Sequence, residues 1–372
     1  MFKTKIAAAK NVRKALIAAA VLLFSGCERQ MAPQSEFVLG TVCSINLYEA
    51  GSAELYGTLF ARLRQLNDIF NNYSDSSEIS RVNQNAAAAP VAVSQDFFVV
   101  LKTALDFAQL TGGAFDPTVG PLVKLWGFGK EPRVPSQEEI AAAKKLVGWQ
   151  NVLIDQNRAA DASPKELEAP ASNDKGSQDQ NPAAGPTVRF TKSGVRLDLG
   201  AIAKGYAADC LVEILRERGV KRASLSLGGN VYVYGKKPGG SLWNVAVRNP
   251  EKPGQNSFML KTQNATVVTS GAYERFFVQD GKTYGHIIDP ATGFPAQSGL
   301  ASVTIVSQNS MIADALSTSL FVLGMEKIPE IKKSALAGDF ECVLVDASGK
   351  ACASEGLKRA LSALNGQTIY WF

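Results

Sequence analysis

The chain carries a single histidine, His286, in the run Tyr284-Gly-His-Ile-Ile-Asp-Pro-Ala-Thr-Gly-Phe-Pro295. One imidazole excludes a zinc site of the usual multi-histidine spacing, and it leaves one side chain suited to proton transfer near neutral pH. Asp280-Gly281, just before it, is a tight-hairpin signal. That predicts His286 at the end of an outgoing strand, where Pro and Gly break the chain into a loop. Rigid scaffolds present reactive groups at such positions, although a hydrogen-bonded surface histidine satisfies the same pattern.

Asp314 and Thr318 stand four apart in Ala313-Asp-Ala-Leu-Ser-Thr-Ser-Leu-Phe-Val-Leu323. On a helix both oxygens share one face, and a carboxylate with a hydroxyl makes half a shell for Mg²⁺. The same pair also reads as an acid favoured near a helix start and a packed threonine. Leu197-Asp-Leu-Gly-Ala-Ile-Ala-Lys-Gly-Tyr206 predicts a strand-to-helix junction at Gly200. A helix start offers free N–H groups to an anion, and Lys204 adds a compact positive charge. Asp198 either binds a ligand hydroxyl or amine, or caps the helix. Gly228 and Gly229 allow close approach of backbone to a ligand, or simply form a strand-end turn. Ala114-Phe115-Asp116-Pro117 predicts a rigid loop with one carboxylate, and Tyr73 could stack on a planar ring. No G-x-G-x-x-G, P-loop, G-x-S-x-G or H-E-x-x-H occurs, which excludes a nicotinamide dehydrogenase or a Walker-type NTPase.

The elements that must position these groups follow from periodicity and caps. A strand is expected over Phe37–Tyr48. A helix follows with Leu55, Leu59, Leu63, Leu66 and Phe70 on one face. A second helix starts near Ser94 and stops at Gly112-Gly113, and Ser136 with Glu139 makes a capping box for a third. A further helix runs from Ala203 to Arg218 and closes at Gly219. Several strands lie between Ser224 and Val306, and a helix spans about Ser310 to Leu323. Elements in blocks, without strict alternation, favour an α+β fold. Residues 161–186 are rich in Pro, Ala, Ser and Asp with almost no large apolar side chain, and read as a disordered surface insertion.

The N-terminus reads as a targeting segment. Lys3, Lys5, Lys10, Arg13 and Lys14 precede an apolar run, residues 15–24, too short to span a bilayer. Phe24-Ser25-Gly26-Cys27 resembles a bacterial lipobox, in which Cys27 is lipidated. This assigns residues 1–26 to a signal peptide, 27–36 to a lipid-anchored tether and 37–372 to the folded domain. Residues 1–26 hold five basic and no acidic side chains, so their removal leaves 34 Lys and Arg against 34 Asp and Glu. A mature charge near zero removes the support for a nucleic-acid partner. Besides Cys27 there are four cysteines without C-x-x-C spacing, which argues against metal ribbons. Cys342 and Cys352 flank the turn signal at 346–349 and are open to a disulfide or to two free thiols.

Taken together the motifs resemble the ApbE family of FAD:protein FMN transferases, also described as flavin-trafficking lipoproteins. The resemblance rests on Leu39-Gly-Thr41, Ser77-Glu-Ile-Ser80, AFDPTVGPL from Ala114, LDLGAIAKGYAAD from Leu197, LGGN from Leu227, Thr269-Ser-Gly-Ala-Tyr-Glu-Arg275, HIIDPATG from His286, and Ala313-Asp314 with Thr318. It covers about Phe37 to the C-terminus, apart from the insertion. It implies an α+β, T-fold-like unit with FAD in a central cleft and Mg²⁺ at the pyrophosphate. It further implies that Asp314, Thr318 and the carbonyl of Ala201 bind the metal. Leu39, Tyr73, Ala114, Phe115, Asp116, Asp198, Lys204, Gly228, Gly229 and Ile288 would meet FAD, and His286 would be the catalytic imidazole. Leu39 falls where the family often has Met, and an apolar contact survives that change.

The activity so implied is Mg²⁺-dependent transfer of FMN from FAD to a threonine of an exported acceptor protein, such as a redox-complex subunit, with loss of AMP. The enzyme would be a membrane-anchored lipoprotein facing the periplasm. Water as acceptor would make it an FAD pyrophosphatase; no turnover would make it a flavin-binding lipoprotein. Asp280–His286 begins like the family's acceptor motif but has Tyr284 and His286 at its fifth and seventh positions, so self-modification is not supported.

Overall fold

The computed structural model describes residues 31–48, 53–128, 130–156, 185–252, 254–364 and 366–372. Cys27, the signal segment and nearly all of the 161–186 insertion lie outside the described residues.

A nine-stranded sheet organises the chain. From one edge its order is Gln34–Val38, Thr41–Leu47, Ala223–Leu227, Asn230–Tyr234, Ala265–Gly271, Leu300–Ser307, Phe340–Asp346, Ala351–Ala353 and Ile369–Trp371. All neighbours are antiparallel except the last pair. Both faces are covered. On one, the Ser310–Leu323 helix packs on strands Ala265–Gly271 and Leu300–Ser307, and against the Ala203–Glu217 helix. On the other, Trp243, Val245, Val247, Phe258 and Leu260 of a three-stranded sheet meet Val233, Val267, Val343 and Val345. Trp243–Arg248 alternates strictly between buried and exposed, as a strand with one covered face must. The fold is therefore α+β, as the blockwise pattern of elements predicts.

The single strand expected over Phe37–Tyr48 is two strands. Gln34–Val38 and Thr41–Leu47 form a hairpin whose turn is Leu39 (φ 56°) and Gly40 (φ 68°). Bulky residues avoid positive φ, so the turn is invisible to propensity. The first strand also begins inside the segment assigned to the tether, with Gln34 to Glu36 paired to Ile45 to Cys43.

Helix ends follow the caps. Ser94 and Ser136 accept from Phe97 N and Glu139 N, and the capping box at Ser136 is complete. Ala203–Glu217 closes at Gly219 (φ 69°), and Ser310–Leu323 is capped by Asn309. Cys342 and Cys352 are both free thiols: Cys352 pairs with Leu344, while Cys342 N donates to Ser354 Oγ at 3.0 Å. A third small sheet joins Val91–Ala92, Thr187–Phe190 and Val152–Asp155, with Asp155 opposite Thr187. No helix among the described residues is long and apolar enough to cross a membrane.

Candidate active site

The helix that carries Asp314 and Thr318 is fixed by a close crossing. A Cβ on Gly205 would overlap the Ser310 carbonyl and lie 2.7 Å from Met311 Cα, so only glycine lets the two helices approach this far. Gly205 N donates to Asp314 Oδ2 at 3.0 Å across that crossing. Asp209, one turn along, accepts from Ser310 N (2.9 Å) and Met311 N (2.8 Å). Burial, with Asp314 and Glu213 adding, pushes its carboxyl up to about 6.

Asp314 is 4% exposed, with Lys204 Nζ 3.5 Å from Oδ2. Lys204 Nζ also donates to Gly200 O (2.9 Å) in the bend before its own helix. Thr318 Oγ1 lies 3.3 Å from Ser270 Oγ, which lies 2.8 Å from Ser317 Oγ. These groups open into a cleft of about 450 Å³, and Ala201 lines it beside them. Among the described residues no three His, Cys, Asp or Glu side chains gather as a metal cage. The donors offered by Asp314, Thr318 and Ala201 are all oxygens. Mg²⁺ commonly takes one or two carboxylates and completes its shell with phosphate and water, so this sparse set fits that ion with a phosphate-bearing ligand.

A second observation fits such a ligand. Asn230 lines the cleft, is 1% exposed, and accepts through Oδ1 from Thr266 and Ser310 (both 3.0 Å). Its Nδ2 has no partner. A buried donor left unpaired costs about 1–3 kcal/mol, which a phosphate or carbonyl oxygen would remove. Gly228 (φ 57°) and Gly229 (φ 96°) just before it make a two-residue hairpin turn. A Cβ on Gly228 would run into Thr41, so the turn is glycine both for its conformation and for close packing at the cleft wall.

His286 is half-buried and directly follows strand Lys282–Gly285. That strand and Phe276–Gln279 form the hairpin announced by Asp280 (φ 51°) and Gly281. An aromatic cluster seats it: Trp126 to Tyr284 5.5 Å, Phe277 to Tyr284 5.2 Å and Phe128 to Phe277 5.5 Å between ring centroids. Trp126 Nε1 donates to Gly293 O (2.8 Å), tying down the loop after His286. Burial, reinforced by the charges of Arg275 and Lys204 and only partly opposed by the hydrogen bond to the Arg275 carbonyl, pushes the imidazole down to about 4. It is therefore neutral at physiological pH and able to accept a proton.

The remaining sequence candidates also line this cleft: Leu39, Tyr73, Ala114, Phe115, Asp116, Asp198 and Ile288. They are not equivalent. Asp116 accepts from Thr118 N, Thr118 Oγ1 and Trp149 N at 2.6–3.1 Å, so its carboxylate holds the loop in shape. Burial raises its pKa against those bonds. Asp198 accepts from Gly200 N (2.9 Å), which braces the bend before the helix and caps no helix end. Withdrawal from solvent raises its pKa against that bond and nearby cations. Tyr73 is 58% exposed, its hydroxyl donating to Phe128 O (3.3 Å), which leaves its ring at the cleft mouth.

Sequence reasoning assigned no role to Arg248, Glu274 and Arg275, which also line the cleft. Withdrawal from solvent raises the Glu274 pKa against the pull of Lys204. For Glu274 and Arg275 the available signal was an acid–base pair directly before strand Phe276–Gln279, in a segment that already carried the family resemblance; Arg248 had no such signal.

The comparisons agree with this geometry. The ApbE family model matches residues 39–344. A Treponema pallidum protein named FAD:protein FMN transferase is 37% identical over 308 residues, 79% of each chain. One of that name from Vibrio cholerae is 31% identical over 354 residues, 92% of this chain and 97% of the other. Among solved structures, the ApbE protein of Thermotoga maritima superposes with a TM-score of 0.72 at 33% identity, covering 88% of this chain and 98% of that one. The flavin transferase ApbE from Vibrio cholerae gives 0.71 at 29% identity over the same shares. With its cleft built from the segments that the family model spans, this chain belongs to the ApbE family.

Proposed function

We propose that this chain transfers the FMN moiety of FAD to a threonine hydroxyl of an exported acceptor protein, with Mg²⁺ at the pyrophosphate and AMP as the leaving group. That the chain is an enzyme, and a flavin transferase, follows from its family and relatives. The threonine, the cation and the leaving group are the proposed parts.

The observation that carries the reading is one cleft in which a neutral imidazole, His286, shares the walls with Lys204, Asp314 and Thr318. Breaking the diphosphate of FAD requires charge on both phosphorus centres to be offset. Asp314, Thr318 and the Ala201 carbonyl would hold Mg²⁺, which when bound polarises the phosphoryl oxygens. Lys204 adds a positive charge on the same side. His286 takes the proton of the acceptor hydroxyl as its oxygen bonds to the FMN phosphorus. The bond to the AMP phosphate breaks, and AMP departs with the electron pair. Asn230 Nδ2 is free to bind a nucleotide oxygen. We further place the enzyme at the membrane facing the periplasm, anchored through Cys27.

The decisive experiment is mass spectrometry of an acceptor protein incubated with this enzyme, FAD and Mg²⁺. A mass gain of FMN on threonine, abolished by EDTA and in Asp314→Ala, is the expected result. Release of free FMN and AMP with the acceptor unmodified would overturn transfer in favour of hydrolysis.

A further inference from the structure

One residue in the bend before the hairpin makes two unlike connections. The main-chain carbonyl of Arg275 accepts from His286 N at 3.0 Å and lies 3.2 Å from His286 Nδ1. Its guanidinium Nη2 donates to the carbonyl of Gly40 at 3.1 Å. Gly40 is the second residue of the Leu39-Gly40 turn, which is held from its other side by Asn67 Oδ1 accepting from Leu39 N at 3.2 Å. A carbonyl oxygen has no proton to give. Nδ1 therefore carries the hydrogen, and Nε2 holds the lone pair.

We propose that Arg275 is the positioning residue for the imidazole: its bond to Gly40 holds its own carbonyl against Nδ1, and its positive charge opposes protonation of the ring. The inference rests on the reading of His286 as the proton acceptor. Two cations act on the ring, Arg275 from the bend and Lys204 from the Ala203–Glu217 helix. The carboxylates of Asp198 and Glu274 line the same cleft, and Asp314 is paired with Lys204. Removing one of two cations beside a ring already withdrawn from solvent shifts the balance towards the protonated form. Removing the guanidinium's grip on Gly40 also frees the carbonyl that selects the tautomer.

The single histidine makes this directly readable. The full chain, labelled on histidine with ¹³C and ¹⁵N and purified without a histidine tag, gives one imidazole spectrum. In the wild type the expected result is an Nδ1–H tautomer with Nε2 unprotonated at pH 7, and a titration midpoint near 4. Arg275→Gln keeps a donor for Gly40 but loses the charge, and its midpoint should rise by about one pH unit or more. Arg275→Lys keeps the charge and serves as the folding control, with a midpoint near the wild-type value. Transfer by Arg275→Gln should fall about twofold or more further at pH 5 than at pH 8, tracking the new midpoint. A brace without electrostatic effect would lower the rate equally at both. An unchanged midpoint in Arg275→Gln, or an Nε2–H tautomer in the wild type, overturns the proposal. Wild-type transfer by His286→Ala would instead remove the catalytic reading, whatever the spectra show.

Discussion

An imidazole that stays unprotonated down to about pH 4 is a weaker base than a free histidine, yet it is fully available across the physiological range. Because all but one of the expected FAD contacts sit on other segments, and Ile288 is left in place, His286→Ala should keep FAD binding while transfer falls on the order of 10²–10⁴-fold. Fluorescence titration with FAD and the mass shift of the acceptor separate the two, and unimpaired transfer would remove His286 from the chemistry. The same residue links stability to pH. Its folded value of about 4 lies below the ordinary 6.5, so the unfolded chain binds the extra proton between those limits. The stability due to the neutral ring is present above about 6.5 and is lost as pH falls towards 4. His286→Ala should flatten that slope, measured as denaturant midpoints at pH 6.5 and 4.5. His286 was legible because a lone histidine behind a hairpin signal has few alternatives. The buried amide of Asn230 was not, since nothing in LGGN tells which atom lacks a partner.

Among elements, the crossing of the Ala203–Glu217 and Ser310–Leu323 helices sets the geometry of Lys204, Asp314 and Thr318. Gly205→Ala forces a methyl into the Ser310 carbonyl and should cost about 1–3 kcal/mol of stability. Thermal unfolding reads the cost, and an unchanged melting temperature would show that the helices can part freely. Activity should fall with it, because the Gly205 N–H bond to Asp314 crosses the same contact. Element ends were legible wherever a cap or turn residue announced them: Ser94, Ser136, Gly219 and Asp280-Gly281 all sit at real boundaries. The Leu39-Gly40 turn escaped notice because tertiary contacts, Asn67 and Arg275 among them, hold a leucine where its own preference would not. The helices Glu78–Asn85 and Gly120–Trp126, at 8 and 7 residues, were missed because about two turns are too few to establish a repeating apolar face.

For the whole molecule, class was legible and topology was not. Blocks of strands and helices predict α+β, but strand Thr41–Leu47 finds its neighbour at Ala223–Leu227, with Cys43 opposite Leu227. No local pattern encodes a pairing at that separation; it follows from closing a core covered on both faces. No helix among the described residues is long and apolar enough to cross a membrane, so the proposed anchoring rests on Cys27 alone. Cys27→Ser should therefore move the protein from the membrane pellet to the soluble fraction without changing its transfer rate in detergent. A variant that still sediments with membranes would rule out the lipid anchor.

The pairing of Asp155 with Thr187 has a consequence for how freely this chain can vary between them. The backbone leaves and rejoins the small sheet on the same rung, so whatever is threaded between those two points leaves the rung itself in place. Loop closure grows only with the logarithm of length. The number of residues between those two points can thus change at little thermodynamic cost to the pairing itself.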